Sequence, residues 1–140
     1  MKFSVRLPVQ FRDIDRMGHV NHAVYLQYME TARVELAKRL DMIRDVSSSS
    51  FIVGTAHVEY KRPLRDEPYV TVTCWVSRIG TRSWDLDYRV QGPRRAEFAI
   101  GTTTQVCYDY DSRKTTGISE PLRKSLEKYQ ERPLKFRENH

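Results

Sequence analysis

Residues 21–40 read Asn21-His22-Ala23-Val24-Tyr25-Leu26-Gln27-Tyr28-Met29-Glu30-Thr31-Ala32-Arg33-Val34-Glu35-Leu36-Ala37-Lys38-Arg39-Leu40. Tyr25, Leu26, Met29, Ala32, Leu36, Ala37 and Leu40 recur at steps of three and four, the pattern of an amphipathic helix. Asn21 is suited to cap it, because its side chain can accept from an early backbone N–H. A helix this long is expected to be central in a chain of 140 residues.

Everything around that helix has a different period. Upstream, Phe3, Val5, Leu7, Val9 and Phe11 alternate with polar residues, so residues 3–11 predict a half-buried strand, with Pro8 marking an edge or bulge. Downstream, residues 41–50 read as a loop ending in a run of serines. Four strands are expected next, over 51–61, 69–78, 84–90 and 96–108, with Gly101 marking a bulge in the last. Ile79-Gly80-Thr81 and Gly92-Pro93 supply hairpin turns, and residues 109–117 a polar loop. Ser119, Glu120 and Pro121 start a second helix with Leu122, Leu126 and Tyr129 on one face. The charged tail after Pro133 is expected to fray.

Turn-length connections make the late strands antiparallel. A long helix with a broad apolar face must then be covered by their sheet. The expected class is α+β, one domain over residues 1–140, with an antiparallel sheet wrapped around one long helix. Such a sheet leaves an edge, which pairing with a second copy would cover.

Composition narrows the function. The longest apolar run, residues 23–26, is far short of the ~20 residues a membrane span needs. No apolar stretch follows Met1-Lys2 as in a secretory signal. Cys74 and Cys107 lie far apart, which speaks against a disulfide scaffold and for a reducing cytoplasm. A net charge of +6 suits an anionic partner or simply a solvated basic surface.

The densest polar cluster is Arg12-Asp13-Ile14-Asp15-Arg16-Met17-Gly18-His19-Val20-Asn21-His22, between a strand and the helix start. Helix N-termini offer unpaired N–H groups and partial positive charge, suited to an anion or a developing oxyanion. A carboxylate beside such an end can act as base or nucleophile on the same carbonyl. Gly18 allows close backbone approach. The same Asp and Asn residues are equally suited to capping a loop.

Asp15-x-x-Gly18-His19-Val20-Asn21, followed by Tyr25-x-x-Tyr28-x-Glu30-x-x-Arg33, resembles the opening motif of the hotdog-fold acyl-CoA thioesterases, the relatives of 4-hydroxybenzoyl-CoA thioesterase. Tyr60-x-Arg62-Pro63-Leu64, the Gly80-Thr81-Arg82-Ser83 turn and the element order agree with it. The resemblance implies a five-stranded antiparallel sheet around a central helix, assembled as a homodimer or homotetramer with active sites at the dimer interface. It implies hydrolysis of an acyl-CoA to free acid and CoA, without a cofactor. Asp15 takes the position of the catalytic aspartate, as general base or as nucleophile. His22 takes the position whose backbone N–H binds the thioester carbonyl oxygen. Many relatives carry asparagine there, so a backbone role carries over and a side-chain role does not.

Glu30 is a secondary catalytic candidate, because a helix carboxylate takes that part in some relatives; it is also spaced to pair with Arg33. Gly18, His19, Asn21, Lys61, Arg62, Arg82 and Ser83 are the substrate-binding candidates, the basic ones because arginine forks suit the phosphates of coenzyme A. Met29, the Ser47–Ser50 loop and His57 are expected to shape the acyl pocket. His19-x-x-His22 spans a loop and a cap rather than one helix face, so no metal is expected. No nucleic-acid-binding signature accompanies the basic charge. A non-catalytic acyl-CoA-binding protein and an acyl-carrier-protein thioesterase stay open as alternatives.

Overall fold

The computed structural model describes residues 1–40 and 51–137. The long helix, α1, runs His22–Arg39. Asn21 caps it in extended conformation, its side chain accepting from the Ala23 N–H at 2.9 Å. Lys38 and Arg39 close it, where cations complement the exposed carbonyls. Its inward face is Tyr25, Tyr28, Met29, Ala32, Leu36 and Ala37. Each fully buried large side chain of this kind stabilises the fold by about 1.5–3 kcal/mol.

The strands are β1 (Phe3–Pro8), β2 (Phe51–Tyr60), β3 (Tyr69–Ile79), β4 (Ser83–Gln91), β5 (Glu97–Asp109) and the short β6 (Lys114–Thr115). They form one antiparallel sheet in the order β1-β3-β4-β5-β2, with β6 added to the end of β5. Val70, Val72, Cys74 and Val76 from β3, with Trp84, Leu86, Tyr88 and Val90 from β4, line the face that meets α1. The five-stranded sheet curled about one helix is therefore the observed architecture, and β6 is an addition the polar 109–117 segment did not suggest. A second helix, α2 (Glu120–Glu127), is capped by Ser119 and buries Leu126.

Three expectations change. The first strand stops at Pro8, and Phe11 opens a single turn of 3-10 helix with its ring 94% exposed. Proline has no N–H for the ladder, so the alternation beyond it does not extend the pairing. Gly101 pairs in regular register with Val58 and Tyr88 and is not a bulge. A Cβ there would sit 2.7 Å from the Met29 Cε, so the glycine admits the helix onto the sheet. The breaks in register fall instead at Val53/Thr55, Val76/Arg78 and Val90/Gln91.

The third change is the tail. Residues 131–137 cross the outer face of the sheet rather than fraying. The Glu131 N–H donates to the Val76 carbonyl (2.9 Å), the Trp75 Nε1–H to the Arg132 carbonyl (3.0 Å), and the Leu134 N–H to Asp87 (2.8 Å). Farther along, Phe136 packs edge-on to His57, and the Arg137 N–H donates to Glu59 at 2.8 Å. Trp75, only 1% exposed, and the buried Asp87 lie on this outer face. His57 therefore faces the tail and not an acyl pocket. Met29 is fully buried against the sheet, and the Ser47–Ser50 loop lies outside the described residues.

Candidate active site

Two aspartates two residues apart have different work. Asp13 is buried, and its Oδ2 accepts from the Gln10 N–H (2.8 Å) and the Tyr28 hydroxyl (3.0 Å). Its carbonyl takes the Asn21 N–H at 2.9 Å, so Asp13 pins the loop to the start of α1. Burial, then the neighbouring Asp13 carboxylate, pushes the Tyr28 phenol well above its ordinary range, so Tyr28 stays a donor.

Asp15 is exposed at the head of a tight loop. Ile14 bridges Val20, the Asp15 N–H reaches the His19 carbonyl (2.8 Å), and the Gly18 N–H reaches the Asp15 carbonyl (3.0 Å). Gly18 has φ +76°, a conformation costly for other residues. The Asp15 Oδ1 accepts from the Met17 N–H at 2.9 Å and, less closely, from His19 at 3.4 Å. Both bonds fall on one carboxylate oxygen. Asp15 thus shapes its own turn through Oδ1, and among the described residues Oδ2 takes no hydrogen bond.

The first four N–H groups of a helix have no preceding turn to receive them. In α1 the Ala23 N–H goes to the Asn21 side chain and the Val24 N–H to the Asn21 carbonyl at 3.0 Å. The N–H of His22, the first helical residue, is the donor these caps leave over, at the positive end of the helix dipole.

His22 opens onto a depression of about 240 Å³ lined by His19, Val20, His22, Tyr25, Tyr60, Lys61, Arg62 and Pro63. The side wall is set by the Val20 N–H donating to the Leu64 carbonyl (2.7 Å) and the Lys61 N–H to Phe98 (2.8 Å). The Tyr60 ring stacks on His22 with centroids 4.3 Å apart, and its hydroxyl donates to the His22 carbonyl at 3.1 Å. Tyr25 meets Tyr60 edge-on at 5.0 Å. Burial above all pushes the Tyr25 phenol up to about 12, so it too is neutral.

The structure thus gathers His19, Asn21, His22, Lys61 and Arg62 at the helix start, with Gly18 and Asp15 in the adjoining turn. It does not gather the rest. Glu30 lies two turns along α1, 68% exposed, with its carboxylate 3.9 Å from Arg33. Arg82 donates to the Thr115 carbonyl and hydroxyl, and Ser83 accepts from Arg78. Ser83 pairs with Val106 while Tyr60 pairs with Ala99. That separation along β5 is roughly 24 Å at strand rise, so Arg82 and Ser83 stand at the other end of the sheet. Tyr60 and Tyr25 also line the depression, although neither is a candidate from the sequence: Tyr60 stands there only in a motif, Tyr25 only in a motif and on the helix face. The buried thiols are not nucleophile candidates, since burial pushes Cys74 up to about 12 and raises Cys107 as well. Among the described residues no group of three or more His, Cys, Asp or Glu is placed to hold a metal ion, and no helix is long and apolar enough to cross a membrane.

The fold, together with the proteins that share it, marks the chain as a thioester hydrolase. The chain belongs to the thioesterase-like superfamily, whose model matches residues 9–126. That match is to the superfamily as a whole rather than to its 4-hydroxybenzoyl-CoA branch. The chain is 25% identical over 127 residues to the long-chain acyl-CoA thioesterase FadM of Escherichia coli, covering 89% of this chain and 96% of that one. A Thermus thermophilus thioesterase solved with coenzyme A and zinc is 30% identical, covering 89% and 96%, with a TM-score of 0.79. A predicted thioesterase from Bacillus stearothermophilus superposes with a TM-score of 0.89 over 95% of this chain and 99% of that one at 20% identity, which is a likeness of fold.

Proposed function

We propose that this chain hydrolyses acyl-CoA thioesters at the start of α1, with Asp15 as the reacting carboxylate. The observation that carries the reading is the His22 N–H, left over by the cap and opening beside the Asp15 turn onto a depression edged by Lys61 and Arg62. The thioester carbonyl oxygen would accept from that N–H, whose value grows as negative charge collects there. Acting as base, Asp15 takes a proton from water, and the water oxygen bonds to the carbonyl carbon. Collapse breaks the C–S bond, and the Asp15 carboxyl returns the proton to the departing CoA sulfur. Acting as nucleophile, the Asp15 carboxylate bonds to the carbonyl carbon and the C–S bond breaks to release CoA thiolate; water then cleaves the mixed anhydride to free acid and the restored Asp15 carboxylate, and the proton released is taken up by the thiolate. Lys61 and Arg62, which line the depression, are the basic residues offered to the phosphates of CoA in this reading. The names of FadM and of the coenzyme A-bound relative support the substrate class.

The assembly follows from the edges. The short β1 ends at Pro8, a guarded edge, whereas β2 presents ten residues with Ile52 and Val53 exposed. Two copies joined antiparallel along β2 bring opposite sheet ends together. Arg82 of the partner subunit and Ser83 of the partner subunit would then approach the depression that their own protomer leaves distant. The reading is a two-fold dimer, with or without pairing into a tetramer. Two buried free cysteines fit a reducing cytoplasm.

Thiol release from short, long and aromatic acyl-CoAs, with an acyl-carrier-protein ester as a further arm, tests the substrate. Turnover of CoA esters is expected. Turnover confined to the carrier-protein ester would move the substrate class, and none on any ester would overturn the reading.

A further inference from the structure

We infer that Tyr60 is a positioning residue for the oxyanion site, bracing residue His22, through its ring and its carbonyl, from the sheet. The inference rests on the reading of His22 as the carbonyl-binding residue. Tyr60 is the last residue of β2 and pairs with Ala99, and the next residue is fixed by the Lys61 N–H bond to Phe98. From this rigid base its side chain holds His22 twice. The ring lies on the imidazole at 4.3 Å and 22° between planes, and the hydroxyl donates to the His22 carbonyl at 3.1 Å. Tyr25, itself buried, sets the other side of the phenol ring.

The consequence is geometric. The first residue of a helix has no preceding turn to receive its N–H, so its own peptide is not fixed by the helix ladder. An oxyanion donor works when it is fixed before charge develops and need not reorganise. Beyond the cap and the Asp13 carbonyl, Tyr60 adds a restraint on His22 itself from a different element, 38 residues away in sequence. It also gives the imidazole a use. Histidine at position 22 offers a flat face to the phenol, so the side chain anchors while the backbone reacts.

Tyr60→Phe keeps the ring stack and removes only the hydroxyl; Tyr60→Leu removes both. For the CoA ester turned over best, kcat is expected to fall about ten-fold in the first and about a hundred-fold in the second, with KM nearly unchanged, as displaced geometry alone produces. His22→Asn with Tyr60→Leu should cost less than the product of the single losses, since both remove the same ring stack. The His22 amide resonance should shift or broaden in Tyr60→Phe. Wild-type kcat in both tyrosine variants, or losses confined to KM or to the melting temperature, would overturn the inference. A wild type inactive on every ester would overturn the thioesterase reading instead; the amide signal would then decide the brace alone, and an unchanged resonance would overturn it.

Discussion

Single residues divide the labour at the helix entrance. Asp15 spends one carboxylate oxygen on its own turn, which makes the choice of substitution matter. Asn retains an oxygen that accepts from the Met17 N–H, whereas Ala loses it. Asp15→Ala is expected to lower stability by about 1 kcal/mol through the lost hydrogen bond, and Asp15→Asn by much less, read as denaturant midpoints. Gly101 is constrained from two sides, by the Met29 thioether and by the His57 carbonyl 3.1 Å from its would-be Cβ. Gly101→Ala should destabilise by about 1–3 kcal/mol, the usual cost of overpacking, because the strand carbonyl cannot yield as a methionine tip can.

At the scale of elements, β2 joins the site to the tail. Its Glu59 accepts from the Arg137 N–H and faces Lys61 and His57. The Arg137 N–H, with Lys61 adding, holds the Glu59 carboxyl below its ordinary range. A lowered folded-state value means the contribution is complete above the ordinary glutamate pKa of about 4.3 and is lost as pH falls through the lowered one. Glu59→Gln should therefore melt earlier than wild type at pH 7, and the two melting curves should converge in acid. The two helices and the five long strands were legible in the sequence, because period and caps are local: α1 from Asn21, α2 from Ser119; the two-residue β6 was not. The tail was not, since the groups that capture it, Asp87 and Glu59, belong to strands more than forty residues upstream. The site was legible in part. Asp15 and His22 sit in one contiguous motif, whereas Tyr60 becomes a site residue only when β2 comes to the start of α1.

For the whole molecule, the strap closes the outer face and β2 leaves one edge open. Removal of residues 131–140 would uncover Trp75 and take one of the two donors from the buried Asp87, whose other donor is Ser77. The shortened chain should show red-shifted tryptophan emission and a lower melting temperature; unchanged emission would mean that the strap is not docked in solution. Along the open edge, Val53→Lys places a charge in the proposed β2 seam. On the proposed two-fold dimer, sedimentation should show this variant as a monomer, and turnover should fall with it.

The most direct test sets Asp15→Asn beside Asp13→Asn, with kcat for one hydrolysed acyl-CoA and the melting temperature measured on each. Asp15→Asn should lose about 10²–10⁴-fold in kcat and keep its melting temperature. Asp13→Asn weakens the bonds that pin the loop, so it should melt earlier while its folded fraction still turns over. Full turnover in Asp15→Asn, or a loss of kcat that follows Asp13 instead, would contradict the assignment of the reacting carboxylate.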